Sequence, residues 1–160
     1  MGTGARQSAG LELADFWREH VESNSAHLQR LRKLFEEAPI RELDGLEWVS
    51  CSGGVAEVRL PFKPSLTQGL GVAHGGMVGL VADTAGWFAA ASVYPQGLVT
   101  TAEYKINLLT GARGDLLATG RVVRQGRNLI TCQLEVVDAE NKLVAVGIGT
   151  YACIRDQRER

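Results

Sequence analysis

The chain has 160 residues, 45% of them hydrophobic and 22% charged, with a formal net charge of −1. This balance suits one folded domain and excludes a disordered, collagen-like or disulfide-scaffold chain. Near-neutral charge offers no bulk attraction to nucleic acid or an anionic membrane, so an anionic ligand has to be met by local Arg or Lys.

Residues Met1 to Gly10 lack the basic segment and apolar run of a signal peptide, which sets the expectation of a cytoplasmic protein. From Leu11 to Ala38, Leu13, Phe16, Trp17, Val21, Leu28, Leu31, Leu34 and Phe35 recur at helical spacing. One or two amphipathic helices are predicted, with a break near Asn24 and a stop near Ala38, before Pro39, as a helical extension over residues 1–40. His20 and His27 lie on this charged stretch and suggest no metal site.

A second unit, 41–156, begins where the texture changes to period-two alternation. Leu46 to Cys51 and Val55 to Phe62 flank Ser52-Gly53-Gly54, a hairpin whose inner face is Ala56, Val58, Leu60 and Phe62. After a loop from Lys63 to Ala73 comes an apolar helical run that ends at Tyr94-Pro95. Its weakly charged core, Met77 to Val93, is at the lower length limit for a membrane span and contains an acid, so a buried helix is expected.

Four more strands follow, at Leu98 to Leu109, Leu116 to Gln125, Leu129 to Val137 and Leu143 to Ile154. The first alternates Ala102, Tyr104, Ile106 and Leu108 against Thr101, Glu103, Lys105 and Asn107. Linkers this short require antiparallel pairing. The plan is α+β, a strongly curved antiparallel sheet wrapped around one helix that is apolar nearly all round. Cys51, Cys132 and Cys153 form no Cys-x-x-Cys pair and read as reduced thiols.

Asp83 is the only ionisable group between His74 and Tyr94. Burying an unpaired carboxylate costs several kcal/mol, so such a residue is ordinarily paired, neutralised or turned to a functional cleft. Upstream, Gly71-Val72-Ala73-His74-Gly75-Gly76 leads into the helix. Free N–H groups at a helix start face the positive end of its dipole and suit a developing oxyanion. No Gly-x-Ser-x-Gly elbow is present.

Together, Gln68, His74-Gly75-Gly76 and Asp83 resemble the signature of the hotdog-fold acyl-CoA thioesterases of the phenylacetate-pathway (PaaI-like) type. The resemblance runs from about Leu43 to Ile154 and includes the strand order and Thr101 to Leu108. It implies hydrolysis of an acyl-CoA to acid and coenzyme A, with coenzyme A as part of the substrate and no separate cofactor or metal. Gly75 would donate its N–H to the thioester carbonyl, and Asp83 from the neighbouring subunit would attack it or activate water. Gln68 would orient the carboxylate or the water, Thr101 would bond the water, and His74 would shape the loop. Gly76 would border the substrate, and Arg113, Arg124, Arg127 and Asn128 could meet the coenzyme A phosphates. Trp87, one turn beyond Asp83 on the same helix face, is expected either to pack in the core or to border the acyl pocket. A homodimer or homotetramer with interfacial sites is implied. A hydratase or dehydratase using His74 and Asp83, and a noncatalytic acyl-CoA binding module, are the competing expectations.

Overall fold

A computed structural model describes residues 24–155. The described part of the first helix, α1, runs over 24–36. It is followed by α2 (Pro39–Asp44), β1 (Glu47–Ser52), β2 (Val55–Leu60), α3 (Gly75–Ser92), β3 (Gly97–Leu108), β4 (Leu116–Gln125), β5 (Leu129–Asp138) and β6 (Leu143–Arg155). The six strands form one antiparallel sheet in the order β1-β2-β4-β5-β6-β3. This is the α+β architecture expected from the sequence.

The sheet curves because its ladders slip. Bulges interrupt pairing between Trp48 and Ser50, Thr101 and Glu103, Val122 and Arg124, and Val136 and Val137. Each adds local twist and bends its strand. Inside the curve lies α3, with eleven of its eighteen residues buried. Close wrapping needs small residues where helix meets sheet: a Cβ on Gly120 would stand 2.4 Å from the Ala85 carbonyl oxygen.

Three local expectations change. Pro39 ends α1 as predicted, but it also starts α2, because proline at a first helical position forfeits no hydrogen bond. Gly45, at φ 77°, ends that helix in the left-handed conformation. Phe62 is exposed (41%) rather than on the inner face, since β2 stops at Leu60 and the Phe62 N–H bonds the Asp115 carboxylate at 2.7 Å. In β3, the bulge at Ala102 reverses the alternation, so Thr101 and Tyr104 both turn toward α3.

The extension packs into the same core. Leu31 and Phe35 of α1 are buried with the sheet and α3. The His27 ring nitrogen Nε2 lies 2.7 Å from the Ala91 carbonyl, and Arg30 donates to the Gly97 carbonyl at 3.1 Å. The predicted helical stretch before Asn24, with His20, lies outside the described residues. Among the described residues, no helix is long and apolar enough to cross a membrane, and no cluster of His, Cys, Asp and Glu could hold a metal ion.

Candidate active site

The loop before α3 is pinned at several points. Gly71 takes φ 72° and returns its N–H to the Gln68 carbonyl, while the His74 N–H bonds Leu66 and the Ala73 N–H bonds Ala112. His74 then caps the helix: its Nδ1 accepts the Gly76 N–H at 2.9 Å. Its carbonyl accepts from Met77 and Val78. Among the described residues, the Gly75 N–H has no protein partner. The cap thus leaves one backbone donor free at the positive end of an eighteen-residue helix.

Gly75 cannot carry a side chain without displacement, because its Cβ would meet Leu108 at 2.7 Å. It lines a cavity of about 330 Å³ with Gln68, Leu108, Thr110, Gly111 and Ala112. The Gln68 carbonyl oxygen Oε1 accepts from the Leu70 N–H at 2.6 Å. Its amide NH₂ is free to donate among the described residues. His74 is therefore held as a loop-shaping cap.

Asp83 lies two turns further along α3. The Thr101 hydroxyl donates to its carboxylate, at 3.0 and 3.2 Å from the two oxygens. Tyr151 approaches from β6, its hydroxyl 3.3 Å from Oδ1. Burial pushes the Asp83 carboxyl above its ordinary range, and the Thr101 and Tyr151 hydrogen bonds pull it back down. No cation pairs with it among the described residues. A desolvated carboxylate oriented by two hydroxyls and open to a cleft can act as a base or a nucleophile.

The Thr101 hydroxyl proton is thus given to the carboxylate, and its oxygen retains acceptor capacity for water. Tyr151 is a functional candidate that sequence reasoning missed. Its ring is fully buried in a slot that requires glycine on both sides, since a Cβ on Gly86 or Gly149 would stand 2.0 or 2.8 Å from its hydroxyl. Burial raises its own pKa, so it remains a neutral donor. The available signal was a lone Tyr in a Gly-rich final strand, which spacing alone cannot aim.

Asp83 faces a second cavity, of about 320 Å³, which also reaches Thr84, Trp87 and Phe88. Trp87 and Asp83 thus share a cleft, as one-turn spacing implies. Gly75 and Asp83 do not share one: eight residues of helix separate them by ~12 Å of rise. The basic candidates are divided too. Exposed Arg113 follows Ala112 at the first cavity. Arg124, Arg127 and Asn128 sit at the β4–β5 hairpin, which Gln125 ties to the Val93 carbonyl at the other end of α3.

The thiols offer no rival nucleophile among the described residues. Burial pushes Cys51 up to about 11 and Cys132 up to about 12, and Cys153 is raised as well. All three stay protonated at neutral pH.

Comparison with known proteins gives the fold and the family. The thioesterase superfamily matches residues 70–145, which include Gly75, Asp83 and Thr101. A Halobacterium salinarum protein provisionally named an esterase is 36% identical over 124 residues, covering 70% of this chain and 82% of its own. The 1,4-dihydroxy-2-naphthoyl-CoA hydrolase of Listeria monocytogenes is 29% identical, covering 71% and 94%. The solved structure of the E. coli PaaI protein, from the phenylacetic acid degradation operon, superposes with a TM-score of 0.72 at 25% identity, covering 80% and 93%. The chain belongs to the thioesterase superfamily, as a hotdog-fold thioester hydrolase.

Proposed function

We propose that the protein hydrolyses the thioester of a small or medium acyl- or aryl-acyl-CoA, releasing the free acid and coenzyme A. The observation that supports this most is the pairing of chemistries along α3, an unpartnered Gly75 N–H at its tip and a desolvated, hydroxyl-oriented Asp83 two turns on. A thioester carbonyl needs both groups within about 3 Å of the reacting atoms. One chain holds them too far apart, so the site is completed by a second copy, Asp83 of one subunit facing Gly75 of the other. The edge strand β3 offers twelve residues with one free side for such pairing.

In this reading the ionised Asp83 takes a proton from water, and the hydroxide adds to the carbonyl carbon. The oxyanion so formed accepts the Gly75 N–H, a contribution of about 3 kcal/mol for one well-aimed donor. The C–S bond then breaks, and the thiolate leaves and is protonated. Direct attack by Asp83, through an acyl-enzyme anhydride that water resolves, uses the same groups. Thr101 and Tyr151 hold the carboxylate in line, and the Gln68 amide is free to orient the water. Arg113 is the basic candidate nearest the Gly75 cavity along the chain and is the first choice for a coenzyme A phosphate. The relatives named as a naphthoyl-CoA hydrolase and a PaaI protein support an acyl-CoA substrate. The hydratase alternative would need the His74 ring as a proton carrier, whereas its Nδ1 is engaged in the cap.

The deciding experiment follows thiol release from short-chain, long-chain and aromatic acyl-CoAs by the native protein and by Asp83→Asn. Release by the native protein and none by a folded variant is expected. Turnover by the folded variant at the native rate overturns the assignment.

A further inference from the structure

The cavity at Asp83 has a wall that thioester chemistry does not require. Leu34, Phe35 and Ala38, at the end of α1 and the turn after it, with Ile40 of α2, close it opposite Trp87 and Phe88 of α3. Apart from Asp83, Thr84 and Arg41, every lining residue is apolar. At about 320 Å³ it is twice the roughly 150 Å³ that accommodates a benzene ring in an apolar cavity. There is room for about two rings.

Its rim is exposed for so apolar a lining. Leu34, Ile40 and Leu98 expose 40, 43 and 38% of their surface, which favours an apolar occupant. Deeper in, the rings of Phe35 and Phe88 meet edge to face at 5.6 Å, and those of Trp87 and Phe88 at 4.8 Å. Such a cluster presents ring faces and edges to a flat guest. The Arg41 guanidinium lies 6.0 Å from the Phe35 ring centre, lines the cavity and makes no ion pair with Asp83. The cavity has therefore not been filled or neutralised by the chain's own described side chains.

We propose that the α1–α2 extension is the acyl-selectivity wall of this enzyme, and that the cavity takes a one- or two-ring aromatic acyl group whose thioester carbon rests at Asp83. The inference depends on Asp83 being the reacting carboxylate. Selection is by fit, because the extension sets the depth of the pocket while the catalytic groups sit on α3 and the sheet.

The test uses Leu34→Trp, which places a large ring across the rim at a partly exposed position. The kcat/KM ratio of 2-naphthoyl-CoA to acetyl-CoA is expected to fall at least about tenfold, with benzoyl-CoA between them, the scale of selectivity that pocket fit provides. A ratio unchanged within about twofold overturns the proposal. Ala38→Phe is the second filling variant should the first fail to fold. Binding of the non-hydrolysable 2-naphthylmethyl thioether of coenzyme A reads the wall without turnover: a Kd raised at least about tenfold supports it, and an equal Kd overturns it. Absence of thiol release from every thioester by the native protein would instead sink the hydrolase reading, and the thioether would still decide the wall.

Discussion

The two cavities along α3 differ in kind. At the helix tip, the cavity around Gly75 and Gln68 is lined mainly by residues of the loops before α3 and after β3, and its chemistry is a free N–H at the positive end of a dipole. Two turns on, the cavity around Asp83 is built from aromatic and aliphatic side chains, and its chemistry is a carboxylate held by hydroxyls. One stabilises negative charge and the other supplies it. Neither completes a hydrolytic site alone, which is the physical argument behind the proposal that two subunits share one.

The sharpest way to break this contrast is to remove one half at a time. Asp83→Asn should lower kcat about 10²–10⁴-fold, the range a positioned base contributes, measured by thiol release. Gly75→Val should also inactivate, because its side chain would enter the cavity that Gly75 lines and obstruct approach to the free N–H. Mixed after refolding, the two inactive variants should recover about a quarter of the native rate, since half of the dimers are mixed and each of those has one intact site. No recovery would mean that both halves act within one chain.

A smaller effect concerns the carboxylate's hold. Thr101 contributes the larger downward pull on Asp83 and Tyr151 the smaller. Thr101→Val should therefore move the acid limb of the kcat/KM profile to higher pH, and Tyr151→Phe should move it the same way by less. A merely structural role would lower the plateau without moving the limb.

Stability has the matching sign. Because the folded Asp83 carboxyl titrates above its ordinary value, the native state binds more protons than the unfolded chain between that value, ~4, and the raised one. Stability from this group is present below the window and lost as pH rises through it. The Tm of Asp83→Asn relative to native should accordingly increase between pH 4 and pH 8. A constant difference would refute the desolvation. Smallest of all, a thiol reagent at pH 7.5 should leave turnover of the folded protein unchanged, with Cys51 and Cys132 pushed up to about 11 and about 12.

Most of the fold was legible before any coordinates. Period-two runs located all six strands to within one residue, apart from the Phe62 end of β2, because an alternating strand must put one face in the core. The Gly-Gly hairpin and the long apolar helix were equally plain. So was Asp83, since one acid in an otherwise apolar helix is energetically anomalous. The short α2 was hidden because Pro39 reads as a stop and only secondarily as a helix start.

What the amino-acid order determined by itself was local: which segments alternate, where a helix is capped, and that one carboxylate has no neighbouring cation. Tertiary structure decided how those pieces meet. Strict alternation puts Thr101 and Tyr104 on opposite faces, but the bulge at Ala102 brings both to α3 and gives Asp83 its hydrogen bond. Tyr151 reaches the same carboxylate from 68 residues away through a slot between glycines, and α1 with α2 roofs the cavity beside it. Such contacts depend on strand register and on steric gaps between distant segments, and neither is encoded in any short window of sequence.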